Sequence, residues 1–141
     1  MGIALSDEVK QLVDRPNFAH LATLMSDGAP HSAPVWIGRE DGFLLVCTED
    51  SSLKGKNTLR DPRVSISVVD FVDPYSEVQI RGRVVERRPD PQLKQYDAMS
   101  LKYVGKPWPY RDEKAPIVLI IEVTKVRYSK QPFEHTPPKL T

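Results

Sequence analysis

Proline placement constrains this chain more than any other feature. Thirteen prolines lie among 141 residues, nearly twice the usual share of about 5%. Each breaks a helix interior, because it lacks an N–H and its ring collides with the preceding turn. A simple helical bundle is therefore excluded. Disorder does not follow, because apolar runs separate the prolines. Most of them read as punctuation: Pro16, Pro62, Pro74, Pro89 and Pro91 stand at element boundaries, and Pro107, Pro109 and the tail prolines stiffen loops. Pro34 is the exception, because it lies inside a strand pattern.

Between the prolines, the periodicity changes from helical to alternating. Ser6 is placed to cap a first helix, with Asp7 and Glu8 in the first turn and Val9, Leu12 and Val13 at helical spacing. Arg15-Pro16 ends it. Phe18 to Met25 is apolar on both parities and reads as a strand buried on both faces. His31 to Ile37 and Phe43 to Thr48 follow as strands, separated by Arg39-Glu40-Asp41-Gly42, whose Asp-Gly pair is a hairpin cue. Ser51 to Arg60 reads as a short helix stopped by Asp61-Pro62. Val64 to Val69 alternates as a fourth strand, and Val78 to Val85 forms a fifth, with Gly82 marking a bulge. A helix runs from about Gln92 to Tyr103, and Ile117 to Tyr128 is the last strand. The tail from Pro132 to Thr141 is polar and proline-rich. The expectation is a single mainly β domain over residues 1–141, a six-stranded antiparallel barrel with flanking short helices. Closure into a barrel removes exposed strand edges.

Composition narrows the function. Twenty Lys and Arg face nineteen Asp and Glu, so there is no basic excess of the kind that bulk phosphate binding requires, and no nucleic-acid partner is expected. The start lacks a signal-peptide pattern, and no apolar run approaches the roughly 20 residues of a membrane span. One cysteine makes neither an internal disulfide nor a cysteine-rich metal site. The expected setting is cytoplasmic, without a membrane partner.

Two segments carry chemistry. The first is Thr48-Glu-Asp-Ser51-Ser52-Leu-Lys54-Gly-Lys56-Asn57, where hydroxyls and free N–H groups gather at a helix start and lysines lie in the first turns. Helix N-termini suit anions. The competing reading is a solvated helix face with an ordinary serine cap. The second is His31-Ser32-Ala33-Pro34-Val35-Trp36-Ile37. Pro34 demands an edge or opened strand there, and an opened strand exposes backbone groups to a planar ligand. Trp36 either stacks on that ligand or fills the core, with the core favoured. His20 reads as a satisfied core histidine, His31 as a rim residue and Cys47 as a small core residue. No histidines are paired at metal-ligand spacing, so no metal is expected. Trp108 and Tyr110 belong to a loop that is a lid, a dimer contact or a packed surface turn. No nucleophile elbow or acid/base constellation is present. An anion cradle without a catalytic group suggests that a cofactor carries the chemistry.

These segments also carry a resemblance. FAHLATL with Asp27-Gly28, HSAPVW from His31, SLKGKNTLRDPRV from Ser52 to Val64 and VQIRGRV from Val78 resemble the FMN-binding split β-barrel, or pyridoxamine-phosphate-oxidase-like, superfamily. The wording looks most like the actinobacterial branch that uses the deazaflavin coenzyme F420. The resemblance implies an F420-dependent oxidoreductase transferring a hydride to or from a small planar or conjugated substrate. FMN is the alternative cofactor, in an oxidase or reductase or in a non-enzymatic flavin-binding protein. It further implies that Lys54, Lys56 and Asn57 hold the cofactor's phosphate and acidic tail, that Ser32, Ala33, Pro34 and Val35 line its ring, and that Thr48, Ser51 and Ser52 contact the linker. A homodimer with the cofactor at the subunit interface is implied too, with Arg81 and Arg127 as candidate contributions from the partner. The tail PFEHTPPKLT does not match the substrate-phosphate residues of pyridoxamine phosphate oxidases.

Overall fold

The computed structural model describes residues 2–140; Met1 and Thr141, both within the expected domain span, lie outside the described residues. In chain order the elements are α1 (Asp7–Asp14), β1 (Ala19–Leu24), β2 (Pro30–Val35), β3 (Gly38–Glu40), β4 (Phe43–Glu49), α2 (Leu53–Arg60), β5 (Arg63–Val69), β6 (Ser76–Pro89), α3 (Lys94–Val104) and β7 (Pro116–Lys130). All strand pairings are antiparallel, in the order β2-β1-β5-β6-β7-β4-β3.

That order forces the sheet to curl. Its outermost strands, β2 and β3, are consecutive in the chain and joined only by Trp36 and Ile37. Seven flat strands would hold their outer members about 29 Å apart. The linker from Val35 to Gly38 reaches about 11 Å at most. The sheet therefore wraps into a barrel, and no ladder closes it between β2 and β3 among the described residues. This is a split barrel of seven strands rather than six. The extra strand arises because the expected run from His31 to Ile37 breaks at Val35. Ile37 turns fully into the core, and the chain resumes as β3 in what the sequence marks as a turn.

The barrel interior is filled from five of the seven strands: Leu21, Ile66, Ile80, Leu44, Leu119 and Ile121, from β1, β5, β6, β4 and β7, are each at most 2% exposed. α1 supplies Val9, Leu12 and Val13, and Ser6 caps it through the Val9 N–H. A smaller cluster lies on the outer face, where Leu45, Val118 and Ile120 meet Met99 of α3, so β4 and β7 are buried on both sides. β1 is not. Its outer face includes His20, which is exposed rather than a core histidine. The bulge expected at Gly82 is present as a register shift between Arg81 and Gly82. A Cβ there would stand 2.5 Å from the Glu122 carbonyl oxygen.

Two residues of α3 hold the seam. The Tyr103 hydroxyl accepts from Ile37 N–H at 3.1 Å and donates to the Asn17 carbonyl. Lys102 Nζ donates to the carbonyls of Val13 and Ile37. Burial of that ammonium pushes its pKa down to about 8. Asp90 accepts from the N–H groups of Gln95 and Tyr96, which starts α3 slightly later than its sequence pattern suggests. No helix among the described residues is long and apolar enough to cross a membrane.

On the free edge of β2, Pro30 stands opposite Leu24 and Pro34 opposite His20. Neither offers an N–H, so both turn that position away from β1 without breaking the ladder.

Tyr103→Phe leaves the Ile37 N–H and the Asn17 carbonyl without their partner. It is expected to lower stability by about 1–3 kcal/mol in urea unfolding, with the fold retained.

Candidate functional site

A cleft of about 380 Å³ opens where β2 ends, lined by Phe18, Pro34, Val35, Trp36, Cys47, Lys54, Tyr96, Met99 and Trp108. Its position follows from the seam. β2 stops at Val35 and the chain dives inward at Ile37, which leaves Trp36 on the outside with space beside it. Trp36 is half-buried against the outer apolar cluster and also lines the cleft: it stacks on Tyr103 at 5.1 Å with planes 5° apart, and Trp108 meets it edge-on at 5.9 Å. Tyr96 also meets Trp108 edge-on, at 5.6 Å. The result is a wall of aromatic rings contributed by Phe18 just before β1, the crossover, α3 and the loop after α3.

The opposite side is the start of α2. Ser52 caps this helix, its hydroxyl accepting from Gly55 N–H at 3.0 Å and bonding the Thr48 hydroxyl at 2.6 Å. That leaves the N–H groups of Leu53 and Lys54 without a partner among the described residues. Gly55 lets the helix sit tightly on the preceding loop, since a Cβ there would lie 2.5 Å from the Asp50 carbonyl oxygen. Arg87 of β6 braces the same loop, donating to Asp50 at 2.6 Å and to Thr58 at 3.1 Å.

Lys54 is half-buried in the cleft and has no hydrogen-bond or ion-pair partner among the described residues. Burial alone lowers its pKa. The other cations of this segment differ. Arg60 donates to the Leu24 carbonyl and to Asn57, and Arg63 is paired with Asp61 at 2.8 Å. The local basic run thus reduces to Lys54 and the exposed Lys56 as charges available to a ligand.

The structure brings Pro34, Val35 and Lys54 into the cleft, with Thr48 and Ser52 forming the cap beneath it. Ser51 is exposed on the turn before α2, Ser32 is exposed and Ala33 half-buried farther along β2, and Lys56 faces outward. Asn57 is 1% exposed and engaged elsewhere: its amide donates to Thr23 at 3.0 Å and pins α2 to β1. Arg81 stands opposite Lys125 and Arg127 opposite Gln79, and neither lines the cleft. Cys47 packs against the outer apolar cluster as expected and also lines the cleft; burial pushes its thiol up to about 12, so it stays protonated. Phe18, Tyr96, Met99 and Trp108 are cleft residues that the sequence patterns did not single out, apart from the note on the Trp108 loop. Among the described residues, no group of three or more His, Cys, Asp or Glu could hold a metal ion.

With this geometry in place, the class is clear: a split barrel with an aromatic cleft beside a capped, cationic helix start. The pyridoxamine 5'-phosphate oxidase family model matches residues 5–130, and the chain belongs to that family. Among solved structures it is similar to an F420 reductase, with 28% identity, a TM-score of 0.78 and coverage of 84% of this chain and 94% of that one. A conserved hypothetical protein from Mycobacterium tuberculosis shares the fold at 22% identity and TM-score 0.73, covering 99% and 96%. A heme binding protein from Mycobacterium smegmatis matches at 26% identity and TM-score 0.66, over 94% of this chain and 57% of that one. No curated protein matches the chain.

Gly55→Ala is expected to force the 49–52 loop away from α2. Overpacking of this kind costs about 1–3 kcal/mol, which thermal unfolding would report.

Proposed function

We propose that this protein is an oxidoreductase that uses coenzyme F420 and acts on a small planar or conjugated organic substrate. The observation that carries the reading is Lys54. A half-buried ammonium without a counter-ion is costly unless an anion joins it, and this one stands beside the two free N–H groups of a helix start. A phosphate satisfies both. The adjoining aromatic wall suits a flat ring, and Pro34 and Val35 border the space such a ring would take. The family membership and the similarity to an F420 reductase support the same assignment.

Lys54, with Lys56 at the outer rim, holds the anionic end. The Thr48–Ser52 pair keeps the N-terminus of α2 in place beneath it. Trp36 and Trp108 hold the planar partners in register and exclude water, which turns binding into orientation. The cofactor, when bound, supplies the hydride. The lining thiol and phenol, Cys47 and Tyr96, both have pKa values raised by burial and keep their protons at neutral pH. Exposed Phe18 and Leu53 lie at or next to the cleft, and a second copy of the chain covering them is the dimer we propose.

Equilibrium dialysis against F420 and FMN tests the assignment. Tight FMN binding without F420 binding replaces it with the flavin alternative; binding of neither rejects both. Lys54→Met separates function from stability. Cofactor affinity should fall by about 1.5–3 kcal/mol, the worth of one charged hydrogen bond, while the melting temperature holds or rises.

A further inference from the structure

We infer that Tyr96 is a specificity-determining residue whose hydroxyl donates a hydrogen bond to a carbonyl oxygen on the edge of the flat molecule that the cleft takes. The inference rests on the reading of the cleft as the place of a flat, anionic ligand, and it names what the ring edge of that ligand carries. Tyr96 lines the cleft and is 5% exposed, whereas Trp36, Cys47, Lys54 and Trp108 beside it are half-buried. Its hydroxyl has no hydrogen-bond partner among the described residues. A hydroxyl left unpaired in so buried a place is costly until something joins it. Among the described residues, the Ser100 hydroxyl is the one buried side-chain polar group sealed off without a partner. The Tyr96 oxygen is not sealed off, and the space open to it is the cleft that its ring lines.

The geometry of α3 sets this hydroxyl apart. Tyr96, Met99 and Tyr103 share one face of the helix at helical spacing. The Tyr103 hydroxyl is spent at the seam, on the Ile37 N–H and the Asn17 carbonyl. Tyr96 lies two turns earlier and has no such use. Its ring is nevertheless held. Asp90 Oδ2 accepts its backbone N–H at 3.1 Å, and Trp108 meets the ring edge-on at 5.6 Å. The donor is thus set in place before any ligand arrives, which lowers the entropy cost of using it.

Neighbouring polar groups are committed elsewhere. The Trp108 Nε1–H donates to Glu113 Oε1 at 3.0 Å, and the Thr48 and Ser52 hydroxyls bond each other at 2.6 Å. The Cys47 thiol is only a weak donor. A phenol shares its oxygen lone pair with the ring, so it donates more readily than it accepts, and burial keeps its proton on. Such a group suits the carbonyl of a conjugated ring system. A bare hydrocarbon edge in the same position leaves it unpaired, which is how a buried donor discriminates between molecules of one shape.

The test uses two flat anions that share a frame and differ in the acceptor. Anthraquinone-2-sulfonate has a carbonyl on each long edge, and anthracene-2-sulfonate has none. Both offer a sulfonate to Lys54 and the start of α2. Calorimetry on ligand-free protein gives Kd for each. In Tyr96→Phe the preference for the quinone, read as the ratio of the two Kd values, should fall about tenfold, with the anthracene Kd nearly unchanged. Lys54→Met should weaken both dyes alike. The melting temperature of ligand-free Tyr96→Phe should hold or rise, because an unpaired hydroxyl is removed. An unchanged Kd ratio, or a melting temperature that falls as for a lost hydrogen bond, overturns the inference and leaves the reading of the cleft standing. Failure of both dyes to bind the wild type overturns the two together. Where the ratio falls, dialysis of Tyr96→Phe against F420 and FMN tells whose carbonyl is held: a matching loss of affinity assigns it to the cofactor ring, and an unchanged affinity to the substrate.

Discussion

The short crossover through Trp36 and Ile37 is the constraint on which the rest of the molecule depends. It ties the opposite edges of one sheet to each other, so the sheet can only wrap. Wrapping creates the interior that the aliphatic faces fill, and it also creates a seam where no ladder closes. The crossover residues then part company. Ile37 is fully buried inside, while Trp36 is stranded outside and must find a partner there. It finds Tyr103, whose hydroxyl also secures the seam. One aromatic residue of α3 thus serves fold and site together, and α3 is placed where its far end can also supply Tyr96 and Met99 to the cleft.

Electrostatics divide the basic residues into two populations. Arg60, Arg63 and Arg87 have carboxylate, carbonyl or hydroxyl partners and brace the framework around α2. Lys54 has none among the described residues and is half-buried. The contrast matches the chemistry of the two side chains. A guanidinium forks onto several oxygens at once, whereas an ammonium is a compact charge on a flexible stem. The arrangement keeps α2 rigid and leaves one adaptable cation facing the cleft.

Much of this was legible because the relevant signals are local. The Ser6 and Ser52 caps, the bulge at Gly82 and the antiparallel barrel class each rest on a few neighbouring residues. The misreadings have a common origin in long-range geometry. His20 lies in an apolar run, yet its parity puts it on an uncovered outer face. Asn57 stands in a polar helix, yet β1 passes close enough to bury it. The cleft wall gathers rings from positions 18, 36, 96 and 108, which no period relates. The seam itself is a property of strand order, and strand order has no local signature.

The two prolines of β2 have a further consequence. A split barrel leaves an unpaired strand beside its opening, and an unpaired strand invites another chain to add to it. Pro30 and Pro34 share one parity of that border, on either side of Ser32, and each removes a donor that an incoming strand would need. The border beside the ligand cleft is thereby made a poor template for sheet extension. The seam can thus stay open beside the cleft without offering its edge to a neighbouring chain.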